Sequence, residues 1–548
     1  MELVVFRCDA STQIGSGHVM RCRTLARALK SRGAETVFLC RRQPGDLVES
    51  LIKEFRVLEL RHNSEVYYKP YELAEKPKGR LLYVNWLGCT EEKDFMDSLE
   101  ALISANLLKV SWLVVDHYGL GATWHKGMRE GLEIASGTKS AILVIDDLAD
   151  RAYQAEILID PNKSDSEVVD PYLDSQLVPK SCTTLLGPPY ALLDPLYAKF
   201  QPSLPCRSKP ARCLIFFGGG DSDKFTAIAL NALCHPKLQH LAVDVVIGSA
   251  STNLDDIKNL VRQRSNTFLH TGLRTLAGLI ARADIALGAA GTASWERACL
   301  GLPSIVIPMA DNQDQNANAL EAAGVAIKLN LRSSVDPVNT LQKTVISIVD
   351  DPSTMYLMSH ACAHLGDGRG VNRAVLAMLG PAPGLCLRPA DAFDSWLYLW
   401  WANDTHVRSQ SFNIKSIERS QHREWFDIRI SSPLALLRVL EDGEGLPIGQ
   451  IRFERSDVNE NLTEVSFSLD RLARGQGLAS KLLTLGLAEL ARCWGPSCQV
   501  YGNVQPSNTA SCRAFQRAGF NETQSFRKGV RCFTKGAGSE SLGFVYCD

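Results

Sequence analysis

The chain has 548 residues, too many for one hydrophobic core, so two or three domains are expected. Hydrophobic residues make up 45% and charged residues 22%, with a net charge of −1 and both signs interspersed. That balance describes a globular protein and excludes a basic field for nucleic acid or an anionic membrane surface. The 16 cysteines stand singly, with no Cys-x-x-Cys pair, as buried thiols in a reducing compartment do rather than a metal or disulfide framework. The apolar run Leu3–Phe6 ends at Arg7 and is no signal peptide, and no apolar stretch approaches the roughly 18–20 residues of a membrane span. A cytoplasmic location is expected, and composition leaves the oligomeric state open.

Leu3–Phe6 is long enough for a buried strand, and Cys22, Leu25, Ala26 and Leu29 recur at helical spacing. Between them stand Gly15, Ser16, Gly17 and His18. Glycines there admit a ligand to the backbone, and the free N–H groups of a helix start favour an anion such as phosphate. An imidazole beside that anion is placed for acid–base chemistry on a nucleotide-linked substrate, although a glycine turn that only starts a helix reads the same way.

Asp9-Ala10-Ser11, Ile14-Gly15-Ser16-Gly17-His18 and Met20-Arg21-Cys22 together resemble the N-terminal signature of the UDP-sugar hydrolases of pseudaminic acid biosynthesis. Those enzymes remove UDP from UDP-2,4-diacetamido-2,4,6-trideoxy-β-L-altropyranose and have two Rossmann-like halves, like the glycosyltransferases of the B fold. The resemblance implies that His18 is catalytic and that Asp9, Gly15, Gly17 and Arg21 belong to the substrate site.

Val37–Cys40, Trp112–Val115 and Ile142–Ile145 are further strand candidates, so residues 1–200 read as a first α/β half. Asp116 and Asp146-Asp147 close two of these runs, where an open α/β sheet binds ligands and where turns and helix caps also use carboxylates. Asp116-His117-Tyr118 and Ile145-Asp146-Asp147 also resemble segments of the hydrolases. So does Leu186–Leu193, which brings Tyr190 into the substrate set. The hydrolases commonly carry a basic residue where Pro189 or Asp194 stands here, which leaves the sugar open.

Residues 201–378 read as a second half. Cys213–Phe217 runs into Gly218-Gly219-Gly220-Asp221 and a helical pattern from Phe225, a second phosphate-cradle candidate containing Gly219 and Gly220. Val243–Ile247, Phe268–His270, Ile285–Leu287 and Ser304–Ile307 supply more strands. The densest stretch is Gly288–Arg297. Gly291 and Thr292 open a helix, and Glu296 one turn later can accept hydrogen bonds from both ribose hydroxyls of a nucleotide; a Glu there also simply suits the helix dipole. This pattern resembles glycosyltransferase-like UDP binders. Asn312-Gln313 matches the hydrolases' Asn-Gln pair, which implies a catalytic Asn312 bordering the sugar and a substrate contact at Gln313. Asp367–Gly370 and Arg373 fit the closing segment of the hydrolases.

Residues 379–385, rich in Pro and Gly, read as a linker, and 386–548 as a further α/β domain. Arg474-Gly475-Gln476-Gly477-Leu478-Ala479 fits the acyl-CoA pyrophosphate loop of the GNAT acetyltransferases, supported by Asn508–Ser511 and Phe515–Phe520. Acetyl-CoA is the cofactor this implies, and no metal is expected. Trp401–Arg408, Ser411-Phe412 and His422-x-x-Trp425-Phe426 resemble the acetyltransferase that acts one step before the hydrolase, on the 4-amino group of UDP-4-amino-4,6-dideoxy-β-L-AltNAc. Phe515 stands where many GNAT enzymes carry an acidic Tyr, which leaves the general acid unassigned. Glu464, on the strand entering the loop, is a candidate catalytic base or an exposed edge residue. The whole reads as a bifunctional enzyme acting on UDP-sugars. A glycosyltransferase with an accessory acetyltransferase and a non-catalytic nucleotide-sugar sensor are the alternatives.

Overall fold

The computed structural model describes residues 2–60, 83, 86–162, 170–201, 207, 210–218, 223–248, 253–362, 365–455, 462–524 and 529–536. They form two compact units, residues 1–374 and 375–548.

The first unit contains two parallel sheets. The first sheet is built from β1 (Leu3–Cys8), β2 (Glu35–Arg41), β3 (Arg56–Leu60), β4 (Trp112–Asp116), β5 (Ala141–Ile145), β6 (Ile157–Asp160) and β7 (Thr183–Leu186), in the order β3-β2-β1-β4-β5-β6-β7. Every strand pair in it is parallel. All six side chains of β1 are buried, as a strand covered on both faces requires; its apolar run Leu3–Phe6 is followed by Arg7, whose ion pairs with Asp9 and Asp94 let it bury. The second sheet comprises β8 (Arg212–Phe216), β9 (Ala242–Ile247), β10 (Thr267–Thr271), β11 (Ile285–Ala289), β12 (Ser304–Ile307) and β13 (Ala326–Lys328), in the order β10-β9-β8-β11-β12-β13. Strand order reverses between β1 and β4 in one sheet and between β8 and β11 in the other. Those switch points open crevices at the carboxyl ends of the strands, where such folds bind ligands. Leu113, Val115, Trp124 and Leu132 sit in the core of the first half, and Ile215, Val245, Leu287 and Ile305 in that of the second.

The second unit holds a seven-stranded mixed sheet of β14 (Cys386–Pro389), β15 (Ala435–Glu441), β16 (Pro447–Arg455), β17 (Leu462–Leu469), β18 (Gln499–Val504), β19 (Asn521–Thr523) and β20 (Arg531–Gly536), in the order β14-β15-β16-β17-β18-β20-β19. Its neighbours are antiparallel except β17 and β18, which run parallel and pair only over Leu462–Glu464 against Gln499–Tyr501. Beyond Glu464 no pairing holds the two strands together, and a slot opens between them.

The division between units lies inside the helix Gly370–Leu379, a few residues before the Pro/Gly stretch. Leu376 belongs to the core of the second unit, with Leu440, Leu478 and Leu482. The Pro/Gly segment is also docked in that unit. The Ala382 N–H donates to Asp442 Oδ2 at 2.9 Å, and a Cβ on Gly443 would meet the Pro383 carbonyl oxygen at 1.8 Å.

Candidate functional site

In the first unit, β1 ends at Cys8 and the chain turns through Ser11 to Gly15 before the helix Gly17–Ser31 (α1) begins. The Ser11 hydroxyl accepts from the N–H groups of Gln13 and Ile14, and Gly15 takes φ +79°, a conformation open to glycine. The cap residue Ser16 makes no side-chain hydrogen bond, which leaves the first N–H groups of α1 to other acceptors. His18, in the first turn, lines a cleft of about 1640 Å³.

β4 delivers the partner of that histidine. Asp116 is fully buried, with Oδ1 2.6 Å from His18 Nδ1. Arg21, one turn along α1, donates to the same carboxylate through Nε at 2.6 Å and Nη2 at 2.7 Å. Burial alone would raise the Asp116 pKa, but Arg21 and His18 override it and hold the carboxyl well below its usual range. Arg21 Nη1 also reaches Asp147 Oδ2 at 2.8 Å, and the Tyr118 hydroxyl donates to that oxygen at 2.5 Å. Aromatic rings wall this end: Tyr118 stands edge-on to His18 with centroids 4.6 Å apart, and Trp86 stacks on Tyr118 at 5.7 Å.

The second half supplies the opposite wall. β11 ends at Ala289, and Gly291 and Thr292 lead into the helix Ala293–Cys299 (α2). Approach across the cleft is close, since a Cβ on Gly17 would lie 3.5 Å from Thr292 Oγ1. Glu296 lines the cleft, and burial pushes its carboxyl up to about 7 against the opposing pull of Tyr197 and Arg297. Trp295, just before it, donates its indole N–H to Asn162 Oδ1 at 2.9 Å.

The residues expected from sequence divide accordingly. Gly15, Gly17, His18, Arg21, Gly291, Thr292, Glu296 and Gln313 all line the cleft. Gln313 Oε1 also accepts from the Met309 N–H at 3.0 Å. Asp9 does not line it: buried behind the loop, its Oδ1 lies 2.7 Å from Arg7 and accepts from the Arg41 N–H at 2.8 Å. The carboxylate that the motif resemblance assigns to the substrate site serves an internal ion pair. Tyr190, in the single turn Pro188–Tyr190, is buried away from the cleft lining. Gly219 and Gly220 lie outside the described residues, as does the side chain of Asn312. Asn162 and Trp86 carry no sequence signal, since no spacing links them to the loop motifs, and Trp295, although inside the Gly288–Arg297 stretch, reads there as a core residue.

In the second unit the slot beside β17 forms a groove of about 700 Å³. Gly477, at φ +73°, caps the 17-residue helix Leu478–Trp494 (α3), whose first N–H groups face the groove end formed by Gly475, Leu478 and Ala479. Arg474 is held by Asp404 at 2.9 Å and by the Leu469 carbonyl at 3.1 Å. Asn508 lines the groove while its side chain caps the helix Thr509–Arg517. Gln476 is exposed, does not line the groove, and bonds back to the Leu472 carbonyl. Glu464 is also exposed and outside the lining: it shares a face of β17 with the groove-lining Ser466 and Ser468 but lies before the slot opens, where β17 still pairs with β18, and its carboxylate accepts from Asn503, which does line the groove. Phe515 packs among Phe467, Phe520 and Phe533 and closes the floor with no acidic hydrogen. A neighbouring cavity of about 360 Å³ shares Ala402, Arg408, Gln450 and Arg452 with the groove and adds His422, whose pKa burial and Arg452 push down to about 4.

Similarity to known proteins makes the chain a nucleotide-sugar pathway enzyme carrying an acetyltransferase domain. Residues 384–521 match the family model of the acetyltransferase (GNAT) domain, whose cofactor is acetyl-CoA, and residues 213–372 match the glycosyltransferase family 28 C-terminal domain. The chain is homologous to the UDP-2,4-diacetamido-2,4,6-trideoxy-β-L-altropyranose hydrolase of Campylobacter jejuni, with 24% identity over 59% of this chain and 98% of that protein. It is also 24% identical to the spore coat polysaccharide biosynthesis protein SpsG of Bacillus subtilis, over 34% of this chain; the match spans only about half of SpsG, 55%. Among solved structures, MurG of Acinetobacter baumannii aligns with 68% of this chain and 98% of its own, at 14% identity and TM-score 0.45. Among the described residues no group of three or more His, Cys, Asp or Glu side chains could hold a metal ion, and no helix is long and apolar enough to cross a membrane.

Proposed function

We propose that the first unit hydrolyses UDP-2,4-diacetamido-2,4,6-trideoxy-β-L-altropyranose to UDP and the free sugar, and that the second N-acetylates the 4-amino sugar nucleotide that precedes it, two steps of pseudaminic acid biosynthesis. The observation that carries the hydrolase reading is the His18–Asp116 pair, set at the mouth of one helix start and facing the other across the cleft. An ionised Asp116 accepts the Nδ1 proton, so Nε2 keeps its lone pair for an attacking water. On this reading the N–H groups at the starts of α1 and α2 neutralise the UDP that leaves. In the same reading Glu296 takes the ribose, Gln313 and Asn312 the sugar, and Tyr118 with Trp86 its apolar face.

In the acetyltransferase the N–H groups from Gly475 to Leu478 bind the pyrophosphate of acetyl-CoA. The cavity beside the groove then takes the amino sugar, with Arg408 and Arg452 towards its diphosphate. Glu464 reaches this groove only through Asn503. The test is mass spectrometry after incubation with candidate UDP-sugars, with and without acetyl-CoA. Free diacetamido sugar and UDP support the hydrolase. Transfer to an added acceptor with no release in its absence supports a glycosyltransferase, and binding without turnover a sensor.

A further inference from the structure

A single amide joins the two walls of the cleft. Asn162, just past β6, accepts the Trp295 indole N–H at 2.9 Å and donates through Nδ2 to Asp147 Oδ1 at 2.8 Å. Its orientation is fixed by its neighbours. An indole N–H can only donate and an ionised carboxylate can only accept, so the amide must turn its oxygen to Trp295 and its nitrogen to Asp147. From Asp147 the chain of bonds continues through Arg21 to Asp116 and ends on His18 Nδ1. Trp295 immediately precedes Glu296 on α2, and the residue is 5% exposed.

We propose that Asn162 and Trp295 are positioning residues that set the orientation of His18 from the nucleotide-bearing helix. A shift of α2 moves the indole and, through the amide, changes the hold on Asp147. Asp147 and Asp116 share one guanidinium, so a weaker grip on one face of Arg21 changes its reach to the other. Binding at Glu296 is thereby reported to the imidazole through five consecutive hydrogen bonds. The inference rests on the hydrolase reading for its catalytic consequence, but the physical coupling does not depend on which reaction follows.

The test uses the full chain in two measurements. The first follows the His18 resonance in protein labelled with 13Cε1-histidine, assigned with His18→Asn, during titration with UDP. UDP should shift that resonance in the parent, and Asn162→Ala and Trp295→Phe should each remove most of the shift while UDP still binds. The second is steady-state UDP release. Each variant should lose about 5- to 30-fold in kcat with KM changed less than about threefold, and the double variant should be no slower than Asn162→Ala alone, since both cut one chain. Asn162→Asp adds a pH signature. At neutral pH the new carboxylate repels Asp147, while at acid pH its protonated form can donate as the amide does. Activity relative to the parent should therefore recover as pH falls. An undiminished UDP-induced shift in the variants, additive losses, or a loss in KM alone overturns the proposal. A parent that binds UDP and shows the shift but releases none from any UDP-sugar overturns the hydrolase reading and leaves the coupling standing. A parent in which bound UDP leaves His18 unmoved overturns the coupling.

Discussion

His18 Nδ1 lies 2.6 Å from Asp116 Oδ1, and that carboxylate simultaneously takes two N–H groups of Arg21. The histidine comes from the first turn of α1 and the aspartate from the end of β4, the strand directly beside β1 in the sheet. Strand pairing at the switch point brings the two together, 98 residues apart in sequence.

This pair makes the first prediction. Asp116→Asn can offer an N–H to Nδ1, which favours the tautomer protonated on Nε2 and removes the base. UDP release should fall by about 100-fold or more, with UDP affinity within a few-fold of the parent. His18→Ala should lose a similar factor. The Asn variant should also melt lower, because Arg21 keeps its charge and loses a buried partner, a change on the order of 3–5 kcal/mol. Asp116 has a depressed folded-state pKa, so its contribution to stability is present above pH ~4 and is lost as pH falls further. A hydrolytic rate within tenfold of the parent's would remove the pair from the mechanism.

Glu296 gives a pH dependence of opposite origin. Its carboxyl, raised to about 7 by burial, is largely protonated in the empty cleft below neutrality. Accepting two ribose hydroxyls favours the ionised form, so binding expels a proton. Affinity for a UDP-sugar, whose diphosphate diester does not titrate in this range, should rise up to about tenfold per pH unit below pH 7 and level off above it. Calorimetry in buffers of different ionisation enthalpy counts the proton. Glu296→Gln should flatten the profile and weaken binding by roughly 1.5–3 kcal/mol. A profile that keeps its slope in the variant assigns the proton elsewhere.

How much of this was legible beforehand depends on distance along the chain. Strands such as Ile142–Ile145 and the glycine loop before His18 announce themselves within a few residues, because burial on both faces demands unbroken apolar runs and a helix start at a ligand demands small residues. Asp116 and Asp147 stand out as strand ends and through the resemblance of their segments to the hydrolases, but not as partners of one arginine. Asn162 and Trp295, 133 residues apart, meet through the packing of two sheets, and no local pattern reports that. Asp9 enters the site only through its motif, and its surroundings are equally invisible in sequence. Its partners Arg7 and Arg41 lie on adjacent strands, so a loop carboxylate that looks free in sequence is spent internally. Glu464 shows the limit of motif position: alternation gives it the face of the groove-lining Ser466 and Ser468, but it stops short of the slot, in the stretch where β17 still pairs with β18.

The glycine at the head of α3 separates the two activities. Gly477 holds φ +73°, which an L side chain adopts at a cost of about 1 kcal/mol, and no protein atom lies within 4 Å of a Cβ built there. A leucine at that position is therefore tolerated by the fold and extends into the space where pyrophosphate approaches the backbone. Gly477→Leu should abolish acetyl transfer, raise the KM for acetyl-CoA by at least tenfold where activity persists, and leave UDP release unchanged. Tight acetyl-CoA binding by this variant would move the pyrophosphate site away from the loop.

The last prediction concerns where the chain can be divided. A cut in the Pro/Gly stretch looks natural from sequence, but the helix Gly370–Leu379 serves both units. Arg373 on its first turn donates to Asp367 at 2.6 and 2.8 Å and to the Pro189 carbonyl at 3.0 Å, tying the end of the first unit. Leu376, three residues on, is 2% exposed in the core of the second. A C-terminal chain that begins at Leu385 loses that side chain and the Ala382–Asp442 bond with it. It should be destabilised by about 2–5 kcal/mol, the cost of emptying a buried leucine site. One that begins at Gly370 keeps both and should fold, bind acetyl-CoA and release no UDP. Residues 1–379 should fold separately and release UDP without acetyl-CoA. Leu376→Ala in the full chain isolates the effect: thermal unfolding followed by acetyl-CoA protection should show the second unit melting earlier while the transition protected by UDP stays in place. Equal melting of the chains that begin at Gly370 and Leu385 would show that the helix contributes nothing to the second core.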